Sequence, residues 1–408
     1  MSNARVFTTK VKVLVGVGAL APLLITTALF RAGENAMQTS FAPYGHDVLH
    51  ISTSVIGLVV TISGIVMVLS NLLLTSKIRT ERLPALLVIG LGLLSLSFVL
   101  LSVSDSVVGY LISSIFLGIS SGLCMPLLST LAGRLKGISR DRALTAFTVA
   151  LSGSLAIGPA IESGILKLEG GSFRTALLLL VPFGLASAAV AISIFRSGEV
   201  QFLHQSDSIQ QSPAPSLRGN LLLRLAIIGQ LINQVPFIAF ITFGVLIART
   251  NYHVSTSSAQ LIFTTFFSVS FLIRIYLVIR PQTHRTFGLL KFCAVLMVVA
   301  ILALALGDRE GELFIIVAIL GIPHGLLFPL TISLVARGVD PRSLSKANAS
   351  LFTSISMVSV LFPILVGLVI GNFGYSVALE FIAAATAFLG ILLWFTSKKL
   401  SLTSPSYH

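Results

Sequence analysis

The sequence predicts an all-α polytopic membrane protein: 12 transmembrane helices in two pseudo-symmetric six-helix bundles. Three observations lead there. First, 55% of the 408 residues are hydrophobic and only 10% are charged, whereas soluble domains carry roughly 25% charged residues. Second, apolar runs of about 20 residues recur along the chain, each long enough to cross a hydrocarbon core about 30 Å thick. Third, the chain repeats itself at a fixed offset. A transmembrane β-barrel would instead show alternating segments of about ten residues, and none is present.

The repeat centres on Leu117 to Arg134, LGISSGLCMPLLSTLAGR, which returns 203 residues later at Leu320 to Arg337 as LGIPHGLLFPLTISLVAR. Leu117, Gly118, Ile119, Gly122, Leu123, Pro126, Leu127, Leu131 and Arg134 meet the same residue type, 9 of 18 positions. The register extends backwards, pairing Lys77 with Arg280, Thr80 with Thr283 and Arg82 with Arg285. One further residue of shift carries Pro159 onto Pro363. An offset of half the chain, held across separate segments, marks two copies of one structural unit.

Taken in order, the expected spans are 13–42, 55–76, 83–103, 107–132, 143–166 and 174–195, then 221–249, 256–279, 287–306, 312–336, 347–370 and 375–397. Arg196 to Asn220 is polar, rich in Ser, Gln and Pro, and lacks apolar periodicity, which reads as a linker. The expected domains are therefore 1–195, an N-terminal six-helix bundle; 196–220, a cytoplasmic linker; and 221–408, a C-terminal six-helix bundle. The first apolar run is followed directly by a second, so it reads as a span and not a cleaved signal peptide.

The net charge of +13 lies in short loops between apolar runs, so it carries topology and gives no reason to expect a nucleic-acid partner. With both termini cytoplasmic, 21 of the 27 Lys and Arg residues fall on the inner side, four fall outside, and Arg31 and Arg274 remain within spans. An even number of spans per half makes the copies parallel. Cys124 and Cys293 lie in apolar segments of different halves, suggesting neither a disulfide framework nor a metal site.

Twelve spans in two parallel halves, a polar central linker and basic loops after spans 2, 4, 8 and 10 resemble the major facilitator superfamily over essentially the whole chain. The resemblance implies the major facilitator fold, a monomer working in a lipid bilayer, and helices 1, 4, 7 and 10 around a central cavity. The closest pattern is that of the drug/proton antiporter-like members, which often keep acidic residues in helix 1.

Several residues stand out within this frame. In span 1, Arg31, Glu34 and Gln38 fall on one helical face with Asn35 beside them. In lipid such a stripe must face protein or water, so it reads as a cavity wall or as an internal Arg31–Glu34 pair that fixes packing. The loop after span 2 occupies the place of the superfamily's Gly-x-x-x-Asp-Arg-x-Gly-Arg-Arg gating motif. Thr75 replaces the aspartate and Ile78 a glycine, while Lys77 and Arg79 remain as gating candidates. Ser113, Ser114, Ser120 and Ser121 in span 4 stand either as a cavity wall or as packing residues.

In span 5, Gly153 to Ser163 resembles the antiporter motif, with Gly158 and Pro159 kept and Glu162-Ser163 in place of Gly-Gly. A charged carboxylate at that depth is costly, so Glu162 reads as a proton carrier or as a structural hydrogen-bonding group. In the second half, span 7 places Gln230, Asn233 and Gln234 at similar spacing to the span 1 stripe. Arg274 in span 8 reads either as a snorkelling cation or as a contact with the opposite half or an anionic substrate. His324 in span 10 takes the repeat position of Ser121 and reads as a substrate or proton group, or as a helix–helix hydrogen-bonding residue.

The expected substrate-binding set is thus Arg31, Glu34, Asn35, Gln38, Gln230, Asn233, Gln234 and His324. Proton coupling falls to Glu34 and Glu162, and gating or interface roles to Lys77, Arg79, Gly158, Pro159 and Arg274. The function these imply is secondary active transport of a small molecule by alternating access, as proton-coupled export of a drug-like compound or metabolite across the plasma membrane. Uptake or exchange of a small organic anion, using Arg31 and His324, is the second reading, and a transport-inactive receptor the third. No nucleotide-binding loop, metal-ligand spacing or nucleophile motif occurs; neither a cofactor nor enzymatic activity is expected.

Overall fold

Helix is the one regular structure whose backbone groups are satisfied within a single spanning segment, and the computed structural model bears this out. It describes residues 2–72, 82–133, 135, 138–168, 170, 172–196, 217, 219–279, 286–340 and 343–403. Twelve α-helices are present among them: α1 (Ser2–Pro43), α2 (Thr53–Ser70), α3 (Leu83–Ser102), α4 (Val107–Ala132), α5 (Arg140–Leu168), α6 (Phe173–Arg196), α7 (Leu221–Tyr252), α8 (Thr256–Ile279), α9 (Thr286–Leu306), α10 (Glu310–Gly338), α11 (Leu344–Phe373) and α12 (Tyr375–Thr403). Eleven of them, α2 to α12, are long and apolar enough to cross a membrane. The gating candidates Lys77 and Arg79, and most of the linker, lie outside the described residues.

Three helix starts, those of α4, α7 and α8, carry side-chain caps. The Ser106 hydroxyl accepts from Gly109 N at 3.2 Å, Asn220 Oδ1 from Leu223 N at 2.9 Å, and the Ser255 hydroxyl from Ser258 N at 3.1 Å. At its far end α1 passes into a π-helical turn, Tyr44–Val48, after Pro43. Proline has no N–H to continue the α-helical ladder.

Two compact units form: residues 1–49 with 62–206, and residues 50–61 with 207–408. In the first, α1 lies against α5 and α6, and α3 against α4 and α6. In the second, α7 lies against α11 and α12, and α9 against α10 and α12. One packing plan is therefore used twice. Within the second unit α7 is the interior helix: most of its residues are buried, whereas most of those of α11 are not.

The repeated stretch has a physical reason. Gly118 and Gly122 let α4 approach the backbone of α2, where a Cβ would meet Ser63 O at 2.5 Å and press on Met67 O. Their repeats Gly321 and Gly325 let α10 approach α8, where a Cβ would meet Phe266 O at 2.6 Å and Ser270 O at 2.7 Å. Ser63 to Phe266 and Met67 to Ser270 are again 203 residues apart. The duplicated sequence is thus a duplicated close helix contact of the Gly-x-x-x-Gly kind.

A similar device, with its tyrosines 208 residues apart and so off the repeat register, closes the opposite helix ends in both units. Tyr44 donates to Ser104 O at 3.0 Å beyond the end of α3, and Tyr252 donates to Leu304 O at 2.9 Å in the last turn of α9. Both act on carbonyls at or just past a helix end, where intrahelical partners run out. His50 and His253, by contrast 203 residues apart, adopt left-handed backbone angles with φ of 52° and 54°. Each turns the chain from the first helix of a repeat into the second.

Candidate functional site

In the first unit the polar residues of α1 divide between two neighbours. Arg31 donates to the Glu34 carboxylate one turn away, with the two side chains 17% and 2% exposed. Glu34 also lies within electrostatic reach of the buried Cys124 thiol on α4. This realises the internal ion pair and leaves the Arg31 Nε buried without a hydrogen-bond partner.

The other face of α1 meets α5. Asn35 Nδ2 donates to Leu155 O at 2.7 Å. Leu155 stands four residues before Pro159, so its carbonyl has no N–H to accept within α5. A turn away, Gly158 allows the backbone of α5 to touch Ala32 O, where any Cβ would collide. The Thr39 hydroxyl donates to Glu162 Oε2 at 3.3 Å and sits 3.0 and 3.1 Å from the carbonyls of Ala36 and Asn35. Glu162 is fully buried. Gln38 is half-buried on the Arg31–Glu34 side of the helix.

The α4 serines separate by role. Ser113 donates to Ser97 O at 2.9 Å and Ser120 to Gly90 O at 2.7 Å, so both tie α4 to α3. Ser114 donates to Leu111 O in its own helix. Ser121 is buried with an unpartnered hydroxyl oxygen.

In the second unit α7 presents three buried amides. Gln230 Oε1 accepts from the Thr331 hydroxyl on α10 at 3.0 Å. Gln234 Nε2 donates to the Ser359 hydroxyl on α11 at 2.8 Å. Ser359 stands four residues before Pro363 as Leu155 does before Pro159, so each unit directs an amide of its first helix to the residue four positions before its fifth-helix proline, to a carbonyl in the first and a hydroxyl in the second. Asn233 is 3% exposed, and its Oδ1 lacks a hydrogen-bond partner.

His324 Nδ1 shares a 2.8 Å hydrogen bond with the Ser270 hydroxyl on α8. Its ring stacks on Phe237 at a centroid distance of 4.9 Å and leans on Phe266 at 4.7 Å, with Phe267 edge-on at 6.0 Å. Arg274, one turn beyond Ser270, is half-buried and within electrostatic reach of His324. Among the described residues no group of three or more His, Cys, Asp and Glu side chains is placed to hold a metal ion.

The expected residues thus gather as Arg31 with Glu34; Asn35, Gly158, Pro159 and Glu162 along α1 and α5; and Gln230, Asn233, Gln234 and His324 around α7. Thr39, Ser270, Thr331, Ser359 and the phenylalanines around His324 were not anticipated. The spacing of Phe263, Phe266 and Phe267 on one side of α8 was the available signal for the last group.

A model of the Major Facilitator Superfamily matches residues 23–307. The chain belongs to this superfamily. Its family and fold are those of membrane transporters and not of enzymes. No curated protein sequence matches, but superfamily structures align over nearly the full length. A bacterial homologue of the human lysosomal transporter Spinster, inward-facing and occupied, is 14% identical with a TM-score of 0.70, covering 97% of this chain and 98% of that one. The nucleoside transporter NupG is 12% identical with a TM-score of 0.72, covering 93% and 99%. A POT family transporter in complex with a thioalcohol-conjugated peptide is 13% identical with a TM-score of 0.75, covering 94% and 96%. At these identities the likeness is one of fold.

Proposed function

We propose that this superfamily member is a proton-coupled exporter of a drug-like compound or metabolite, working by alternating access in the plasma membrane with both termini cytoplasmic. The observation that carries the reading is Glu162, a fully buried carboxyl inside a spanning helix, hydrogen-bonded to Thr39. A carboxylate is expensive to ionise at that depth, and such groups mark proton relays. A hydroxyl both donates and accepts, so Thr39 suits either protonation state of Glu162. Proton uptake from one side and release to the other, linked to substrate binding through the same two-state equilibrium, gives coupled transport.

Glu34 is the second carboxyl of the coupling set, held by Arg31. Because Arg31 is paired with it, Arg31 is not a free cation for an organic anion, which favours export of an uncharged or amphipathic substrate. Gln230, Asn233, Gln234 and His324 supply polar contacts in the second unit. The orientation rests on the excess of Lys and Arg in the inner loops.

The test is accumulation of labelled compounds by liposomes containing the protein, with imposed pH gradients of either sign. Proton-coupled export predicts accumulation that reverses with the gradient and collapses when a protonophore is added. Accumulation indifferent to the gradient contradicts it.

A further inference from the structure

The second unit carries an aromatic surface with an unused acceptor beside it. Phe240 lies 4.9 Å from Phe263 and 5.2 Å from Phe266 between ring centroids, and Phe266 is 5.1 Å from Phe267. These four rings are almost wholly buried, and His324 is fixed among them by Ser270. Phe237, stacked on His324, keeps part of its surface exposed. It is the accessible edge of a rigid aromatic cluster.

Asn233 lies four residues before Phe237, on the same face of α7 and about 6 Å away along the helix axis. The three α7 amides differ in one respect. Gln230 and Gln234 each have a hydrogen-bond partner on a neighbouring helix, whereas the Asn233 Oδ1 has none despite being buried. A buried acceptor left unmade costs about 1–3 kcal/mol; Asn233 Oδ1 is one of several such atoms among the described residues, and it is the one on the same helix face as the partly exposed Phe237.

We infer that Asn233 and Phe237 form a recognition site for a neutral, flat aromatic group bearing an N–H or O–H donor. The ring lies against Phe237, and the donor completes Asn233 Oδ1, which can only accept. Aromatic faces favour offset-stacked or edge-on partners over a shapeless apolar group. Arg274, within electrostatic reach of His324 in the same cluster, adds positive charge there, counter to a cationic ligand's preference. The inference rests on the transport reading and names the chemical class its substrate belongs to.

The test is equilibrium dialysis of purified full-length protein in detergent with three probes: 2-naphthol, 2-methoxynaphthalene, which lacks the donor, and decahydro-2-naphthol, which is not flat. Comparison with Asn233→Leu, Phe237→Leu and Phe237→Tyr in the same detergent removes micelle partitioning. The expected result is 2-naphthol binding that weakens roughly fivefold or more in Asn233→Leu and in Phe237→Leu. It is retained in Phe237→Tyr, and Asn233→Leu has no further effect on the methoxy probe.

Thermal unfolding gives an independent check, since Asn233→Leu removes an unsatisfied acceptor and is expected to leave Tm unchanged or raised. The inference is overturned by absent 2-naphthol binding, by equal binding of the saturated probe, or by a clear fall in Tm. Gradient-driven accumulation of other compounds alongside such a result would leave the transport reading standing while this site falls.

Discussion

Asn35 on α1 donates a 2.7 Å hydrogen bond to the Leu155 carbonyl, the carbonyl that Pro159 deprives of its helical partner. A proline in the middle of a spanning helix is tolerated only when the freed carbonyl finds another donor. Here one helix lacks a backbone N–H and its neighbour supplies a side-chain N–H in its place. Ala32 and Gly158 keep the two backbones close enough for so short a side chain to reach.

This relationship makes a quantitative prediction. Asn35→Ala leaves a buried carbonyl unsatisfied and is expected to destabilise the protein by about 1–3 kcal/mol. In a Pro159→Ala background the backbone N–H returns, and the same substitution is expected to cost much less. A double-mutant cycle on detergent-solubilised protein, read by thermal unfolding, measures the coupling. Additive losses would show that Asn35 serves α5 in some other way.

The glycine contacts predict an asymmetric response to a single added carbon. Gly122→Ala and Gly325→Ala place a Cβ against the backbone of the neighbouring helix and are expected to cost about 1–3 kcal/mol each. Gly92→Ala, with nothing within 4 Å of its Cβ position, is expected to be neutral or mildly stabilising. Melting temperatures of the three variants check this, and equal shifts would count against close packing as the reason for the repeat.

The two tyrosine caps are expected to differ in worth. In the first unit Arg174 also donates to Ser102 O and Ser104 O, at 3.4 and 3.3 Å, and pairs with Asp105. Tyr44→Phe therefore leaves donors in place. Tyr252→Phe removes the hydrogen bond to the buried Leu304 carbonyl and is expected to cost about 1 kcal/mol, more than its counterpart. A larger loss in Tyr44→Phe would contradict this ordering.

Much of the fold was legible because bilayer physics writes it in composition: apolar run length gave the spans, and a shared offset gave the duplication. The site was legible only in part. Arg31, Glu34 and Asn35 were recognised as one polar face, but that face is broad, and only tertiary contacts show that Asn35 and Thr39 turn to α5 while Glu34 turns towards α4. The aromatic cluster stayed hidden because in lipid a phenylalanine is equally at home facing the bilayer or a neighbouring helix, so the spacing of Phe263, Phe266 and Phe267 on α8 leaves open which of the two they face. The duplicated left-handed turn does have a sequence mark: His50-Ile-Ser-Thr-Ser returns as His253-Val-Ser-Thr-Ser at the 203-residue offset.

The central claim is that a buried carboxyl of the first unit carries the proton. The most direct measurement is substrate-dependent proton flux in liposomes loaded with a pH-sensitive dye, comparing the unaltered protein with Glu162→Gln and Glu34→Gln. Glutamine keeps the volume and the hydrogen bond with Thr39 but cannot release a proton. Flux is expected in the unaltered protein, and its loss in Glu162→Gln with substrate binding retained. Undiminished flux in both variants would contradict it.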